Sequence, residues 1–132
     1  SKLFGINTGL TSTPLYEDLV GSIFSGKAKS SKSSNSWSAI VKIVSYNKLS
    51  GKVEGEIEWP SLNSVHKIVG ELTNSHFTFK EVGYIKKGSA NLNCQYNTTL
   101  SNGKISGTWS DPSSDIGTIE LNKIKINGVF FS

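Results

Sequence analysis

Between Lys52 and Trp59 the chain alternates without a break. Val53, Gly55, Ile57 and Trp59 fall on one side, and Lys52, Glu54, Glu56 and Glu58 on the other. A period of two belongs to a strand with one wet and one dry face. The strand is entered from Ser45-Tyr46 through the loop Asn47-Lys-Leu-Ser-Gly51. A weaker echo follows, in which Gly51-Lys-Val-x-Gly55 becomes Gly103-Lys-Ile-x-Gly107, and each leads into a tryptophan, Trp59 or Trp109. The repeated unit is a turn, an inward glycine that bends the wall, and a tryptophan that fills space.

The rest of the chain extends this pattern. Residues 1–13 carry Gly5, Gly9 and several Ser and Thr without periodicity, and read as an extended arm. Thr13-Pro14 supplies an N-cap and a proline at the first helical position. Leu15, Tyr16, Leu19 and Val20 follow at helix-like spacing, with Glu17 and Asp18 where the helix dipole favours acids. A short helix is expected over 14–20, ended by Gly21. Every later signal is strand or turn. Strands are expected over 20–29, 37–46, 52–59, 65–72, 76–82, 89–97, 104–109 and 117–126, and Asn102-Gly103 is the strongest hairpin turn among their connections.

Eight short strands with polar loops predict an antiparallel meander. An open sheet would leave two exposed edges, and these strands alternate too regularly to be buried on both faces. Closing the meander into a barrel removes the edges and hides one face. The expected fold is therefore all-β: an eight-stranded antiparallel up-and-down barrel over 20–126, preceded by the short helix and followed by an apolar tail over 127–132. A two-sheet sandwich is the alternative. Gly55, Gly70 and Gly107 suit the sharp bends of a barrel. With 132 residues the chain makes a single domain with one core.

Composition removes several functions. The net charge of +4 comes from 14 lysines without a single arginine. Nucleic-acid readers rely on the arginine fork for phosphate and guanine, so no nucleic-acid partner is expected. Lys27, Lys29 and Lys32 lie in a serine-rich stretch that reads as a solvated hairpin loop. No apolar run approaches the roughly 18 residues of a membrane span. A soluble protein is expected, cytoplasmic or secreted after loss of a signal peptide. Gly21-Ser-Ile-Phe-Ser-Gly26-Lys27-Ala28 has phosphate-loop spacing, but Ala28 replaces the magnesium-holding hydroxyl and the helix precedes the motif instead of following it. Asn97-Thr98-Thr99 fits a glycosylation sequon.

Chemistry is thinly spread. Cys94, the single cysteine, excludes an internal disulfide and shares a face with Leu92 and Tyr96, as a small hydrophobe would. No Cys/His set has metal-site spacing, and neither a metal nor a cofactor is expected. His66 and His76 flank a turn out of register, with no nucleophile at a telling spacing. Glu81 shares its strand face with Phe77 and Phe79. It either points inward, as a group that orients a ligand, or reaches water at the rim if Gly83 ends the strand. The aromatic set Trp37, Trp59, Phe77, Phe79, Tyr96 and Trp109 either fills the barrel or lines a pocket at one mouth.

Gly107-Thr108-Trp109, the closed meander and the short N-terminal helix together resemble the calycin-type barrels, the lipocalins, avidins and fatty-acid-binding proteins. The G-x-W run here lies on the seventh strand, whereas lipocalins and avidins carry it on the first. The resemblance implies a ligand held within or at the mouth of the barrel. The expected function is a non-enzymatic binding module for a small apolar ligand or a short peptide, with Trp37, Trp59, Phe79, Glu81, Tyr96 and Trp109 as its contacts. The alternative is a filled barrel serving as a structural or assembly subunit. Its arm and its tail residues Val129, Phe130 and Phe131 would then meet a partner or a second copy.

Overall fold

The computed structural model describes residues 18–125. Eight strands run in order: β1 (Ile23–Ser30), β2 (Ser36–Tyr46), β3 (Lys52–Trp59), β4 (Ser64–Thr73), β5 (His76–Lys86), β6 (Gln95–Ser101), β7 (Lys104–Ser110) and β8 (Ile116–Lys125). Each pairs antiparallel with its neighbour in sequence, and β8 pairs with β1, closing the barrel. Asn102 and Gly103 join β6 to β7 with positive φ at both positions (52° and 72°), the twist that a two-residue hairpin requires. The alternation read in β3 holds throughout: Val53, Gly55, Ile57 and Trp59 are buried inward. Outside, Glu56 lies between Lys42 and Lys67 in the register of β2, β3 and β4, so the acidic strip is balanced by lysines.

Several boundaries differ from expectation. β1 begins at Ile23, because Gly21 turns the chain at φ 88°. Gly26-Lys27 therefore sits in mid-strand, which removes the phosphate-loop motif. β5 does not stop at Gly83 but runs on to Lys86, through two register shifts that leave Val82 and Ile85 without partners on β4. Bulges of this kind bend a strand and re-aim its side chains. β6 begins at Gln95, six residues later than Ser89, since Asn93 takes a left-handed φ of 70° and ends any extended run before it. The arm 1–13, residues 14–17 of the expected helix and the tail 127–132 lie outside the described residues. Asp18–Val20 are not helical, and the helical segment among the described residues is a 3-10 turn at Pro60–Leu62.

Most of the interior is solid. Phe24, Val41, Ile43, Ile57, Ile68, Phe77, Ile105, Ile119 and Leu121 are each at most 1% exposed. At the end where β1 starts, Leu19 is buried, and Gly21 and Ser22 exchange backbone hydrogen bonds with Ile43, which caps that end. Gly55, Gly70 and Gly107 each leave room for a backbone carbonyl of the adjacent strand, those of Lys42, Thr78 and Asn97. At Gly117 a Cβ would strike both the Lys29 carbonyl and the Trp109 indole, so β8 admits the tryptophan only because that residue is glycine.

Candidate functional site

The opposite end of the barrel is not filled. Trp37 opens β2, Trp59 closes β3 and Trp109 nearly closes β7, so strands far apart in sequence bring three indoles to one mouth. Trp37 and Trp109 meet edge to face, with centroids 5.9 Å apart and planes at 75°. Trp109 Nε1 donates to the Thr118 carbonyl at 3.0 Å, which fixes that ring against β8. Together with Leu62, Ala90, Cys94 and Tyr96 the three tryptophans enclose a cavity of about 250 Å³, and Asn91, Asp111 and Asp115 are among the polar residues at its edge.

Two loops shape the entrance. The buried Ser64 donates its hydroxyl to the Lys87 carbonyl (2.8 Å) and accepts the amide of Ala90 (3.0 Å), knitting the 60–64 turn to the 87–94 loop. Ser89 N–H adds a bond to the Leu62 carbonyl at 2.9 Å. Across the mouth, Asp111 Oδ1 accepts the amides of Ser113 and Asp115 and the Ser113 hydroxyl, while Asn91 Nδ2 donates to Oδ2. Slight burial would raise the Asp111 carboxyl, but these bonds from Ser113, Asn91 and Asp115 outweigh it and hold it below its ordinary value. Asp115 Oδ1 accepts the Ser30 hydroxyl (2.8 Å) and its neighbour's amide. The two carboxylates are thus positioned by their own loop together with Asn91 and Ser30.

Beneath the cavity lies a buried polar network. Tyr96 donates its hydroxyl to Glu81 Oε2 at 2.6 Å, and His66 Nδ1 lies 2.9 Å from Glu81 Oε1. The His66 and Glu81 side chains are wholly enclosed. Phe79 stacks on Tyr96 at 4.4 Å and 9°, and Phe77 on Phe79 at 4.5 Å, so the floor is a pile of rings. Two buried side-chain nitrogens have no hydrogen-bond partner among the described residues: Trp59 Nε1 and His66 Nε2.

Of the six residues expected to meet a ligand, Trp37, Trp59, Tyr96 and Trp109 line the mouth cavity. Phe79 and Glu81 do not line it; they hold Tyr96 from behind. Glu81 is 2% exposed, so it faces inward and not the rim. His66, Ser64, Asp111 and Asp115 join the site although none of them is among the expected contacts. His66 is legible in principle, since it shares the inward phase of β4 with Ile68 and Leu72. Ser64 and the two aspartates are not, because their positions depend on how separate loops meet. On the outer wall an open depression of about 960 Å³ crosses several strands, bordered by polar groups such as Thr78, Asn97, Thr108 and Thr118. The mouth, walled by three indoles and Tyr96, is the stronger candidate.

Cys94 lies beside Tyr96 at the cavity wall. Burial, then the carboxylate of Glu81, raises its thiol far above the ordinary value, and burial with Glu81 does the same to the Tyr96 phenol. Both groups hold their protons more tightly folded than unfolded. Their contribution to stability is therefore complete below the ordinary values of 9.0 and 10.0 and is lost as pH rises past them. Denaturant melts from pH 7 to 11 are expected to show stability falling above about pH 9. Native Cys94 should resist iodoacetamide at pH 8 and react on unfolding; rapid native alkylation would contradict its burial.

Among the described residues, no group of three or more His, Cys, Asp or Glu is arranged to hold a metal ion, and no helix is long and apolar enough to cross a membrane. Compared with models of protein families, with curated protein sequences and with solved structures, the chain finds no match.

Proposed function

We propose that this protein is a non-enzymatic binding module, a calycin-like barrel that takes a small ligand, or one side chain of a short peptide, into its tryptophan-lined mouth. The observation that carries this is the cavity itself, an unfilled mouth walled by Trp37, Trp59, Trp109 and Tyr96 on a barrel whose interior is otherwise solid. Trp37, Trp109 and Tyr96 supply the apolar contact, and the Glu81–His66 pair keeps Tyr96 in place. At about 250 Å³ the cavity is below the usual range for drug-sized ligands, so it suits a compact head group with the remainder in solvent.

Titration with a panel of small oxygen-bearing molecules, including benzyl alcohol, tests this through tryptophan fluorescence. Saturable quenching is expected, weakened about tenfold by Trp59→Ala, which removes one apolar wall of the mouth. No saturation with any member would overturn the proposal.

A protein-interaction role is the second reading, favoured by one observation. Past Glu81 the strand β5 has no partner on β6, and Val82, Tyr84 and Ile85 on that stretch are 40–54% exposed. Among the described residues no strand pairs with that side of β5, and an unpaired apolar edge invites strand addition. Native mass spectrometry on the same samples separates the two readings, since edge pairing gives a dimer and mouth binding a ligand-loaded monomer.

A further inference from the structure

Strand β5 runs past the end of its neighbour β6. Its last bond on that side is the Glu81 N–H donating to the Cys94 carbonyl at 2.9 Å, and Val82–Lys86 have no partner there among the described residues. The 87–94 loop bonds elsewhere, to Leu62 and Ser64 of the 60–64 turn and through Asn91 to Asp111. Tyr84 shows the gap from inside. It pairs with His66, and opposed residues of an antiparallel pair share a face, so its ring stands at an inward position, 5.3 Å from the buried imidazole. Yet Tyr84 is half exposed, while Phe79, which has β6 beside it, is buried.

Charge decides what fits this gap. Lys80 and Lys86 bracket the stretch and Lys87 follows it, all three exposed. Among the described residues lysine forms ion pairs at Lys52–Glu54 and Lys104–Glu120, and none at these three. Lys67, opposite Gly83, already has Glu56 across from it on β3, and Glu58 is separated from Lys86 by Val65. A second copy meeting this one edge to edge would bring the same ammoniums, and like charges on paired strands are destabilising.

Resting on the second reading above, we infer that the gap takes an extended segment of a partner protein in which acidic and apolar residues alternate, added as a strand to Val82–Lys86. That stretch is about 17 Å long, enough for a short strand. A period of two puts the apolar side chains of the segment inward onto Tyr84 and its carboxylates outward, toward Lys80 and Lys86. Main-chain hydrogen bonds supply the affinity, and the alternating side chains select the sequence.

The probe is a fluorescently labelled peptide of sequence EVEFEVE, titrated by anisotropy against the whole chain at low salt. It is expected to bind roughly tenfold more tightly than its twin with glutamine at every glutamate. The triple substitution Lys80→Gln, Lys86→Gln and Lys87→Gln should remove that preference and leave the thermal midpoint near its starting value. Two further versions of the acidic peptide, N-methylated at the even or at the odd residues, each block one edge of the added strand. At least one of them should bind about tenfold more weakly. Equal affinity of the acidic and glutamine peptides, or a preference untouched by the triple substitution, overturns the inference and leaves strand addition standing. Both N-methylated versions binding like the parent peptide would show attraction of charge without strand pairing, and both readings fall. If no peptide binds and native mass spectrometry shows a dimer, a second copy is the occupant, so the inference falls and the edge reading stands. If neither is seen, both fall.

Discussion

Replacing Glu81 by alanine is expected to destabilise the barrel by about 3–5 kcal/mol, the cost of leaving two buried polar groups without their hydrogen-bond partner. The size of the effect comes from what remains. Tyr96 loses the acceptor of its 2.6 Å bond, and His66 loses the partner of Nδ1 while Nε2 is already unpartnered. Neither can turn to water, since His66 is fully buried and Tyr96 is 3% exposed. Glu81→Gln keeps one acceptor oxygen and is expected to lose only about 1–2 kcal/mol. Urea unfolding of the two variants against the parent measures both values. A loss below about 1 kcal/mol for the alanine variant would mean that the network is dispensable to the fold. Because Glu81 reaches the mouth only through Tyr96, Glu81→Gln should also weaken ligand binding less than Trp59→Ala does.

Phe77→Ala is expected to cost about 3–5 kcal/mol by a different mechanism, lost burial plus the void that the neighbours fail to close. Phe77 is 1% exposed and stacked on Phe79, deep in the filled part of the barrel and away from the mouth. Barrel walls tied by hydrogen bonds on both sides have little freedom to collapse inward, which places the cost toward the upper end. The same melts provide the measurement, and thermal unfolding should shift in step. Ligand affinity at the mouth should change far less than stability, since Phe79 and Tyr96 stand between Phe77 and the cavity. A parallel loss of affinity would show that the floor and the site are one unit.

Much of this architecture is readable because a half-buried strand writes its environment with a period of two. β3 has its expected limits, Lys52–Trp59, and Asn102-Gly103 makes its hairpin because positive φ at two successive residues leaves few other sequences. The end of β5 departs from expectation for an equally physical reason. Gly83 looks like a terminator, but bulges at Val82 and Ile85 absorb the extra residues while β4 keeps pairing, and nothing local distinguishes a bulge from an end. The sixth strand starts later than its pattern suggests, since Ala90, Leu92 and Cys94 alternate like a strand although the 87–94 segment is a loop over the mouth.

The site divides along the same line. The tryptophans are legible because large apolar residues at inward positions must either fill space or line it, and periodicity identifies inward positions. Periodicity determined the strand meander, the inward positions of strands such as β3 and the candidacy of Trp59 and Trp109, since all of these depend on near neighbours in the chain. Which residues meet was decided only by closure. Pairing β8 with β1, and tilting every strand in doing so, set Trp37 against Trp109, joined His66 to Glu81 and Tyr96 across β4, β5 and β6, and carried Asp111 and Asp115 over the gap. Those contacts span tens of residues, and the register that fixes them is a property of the closed sheet rather than of any one strand.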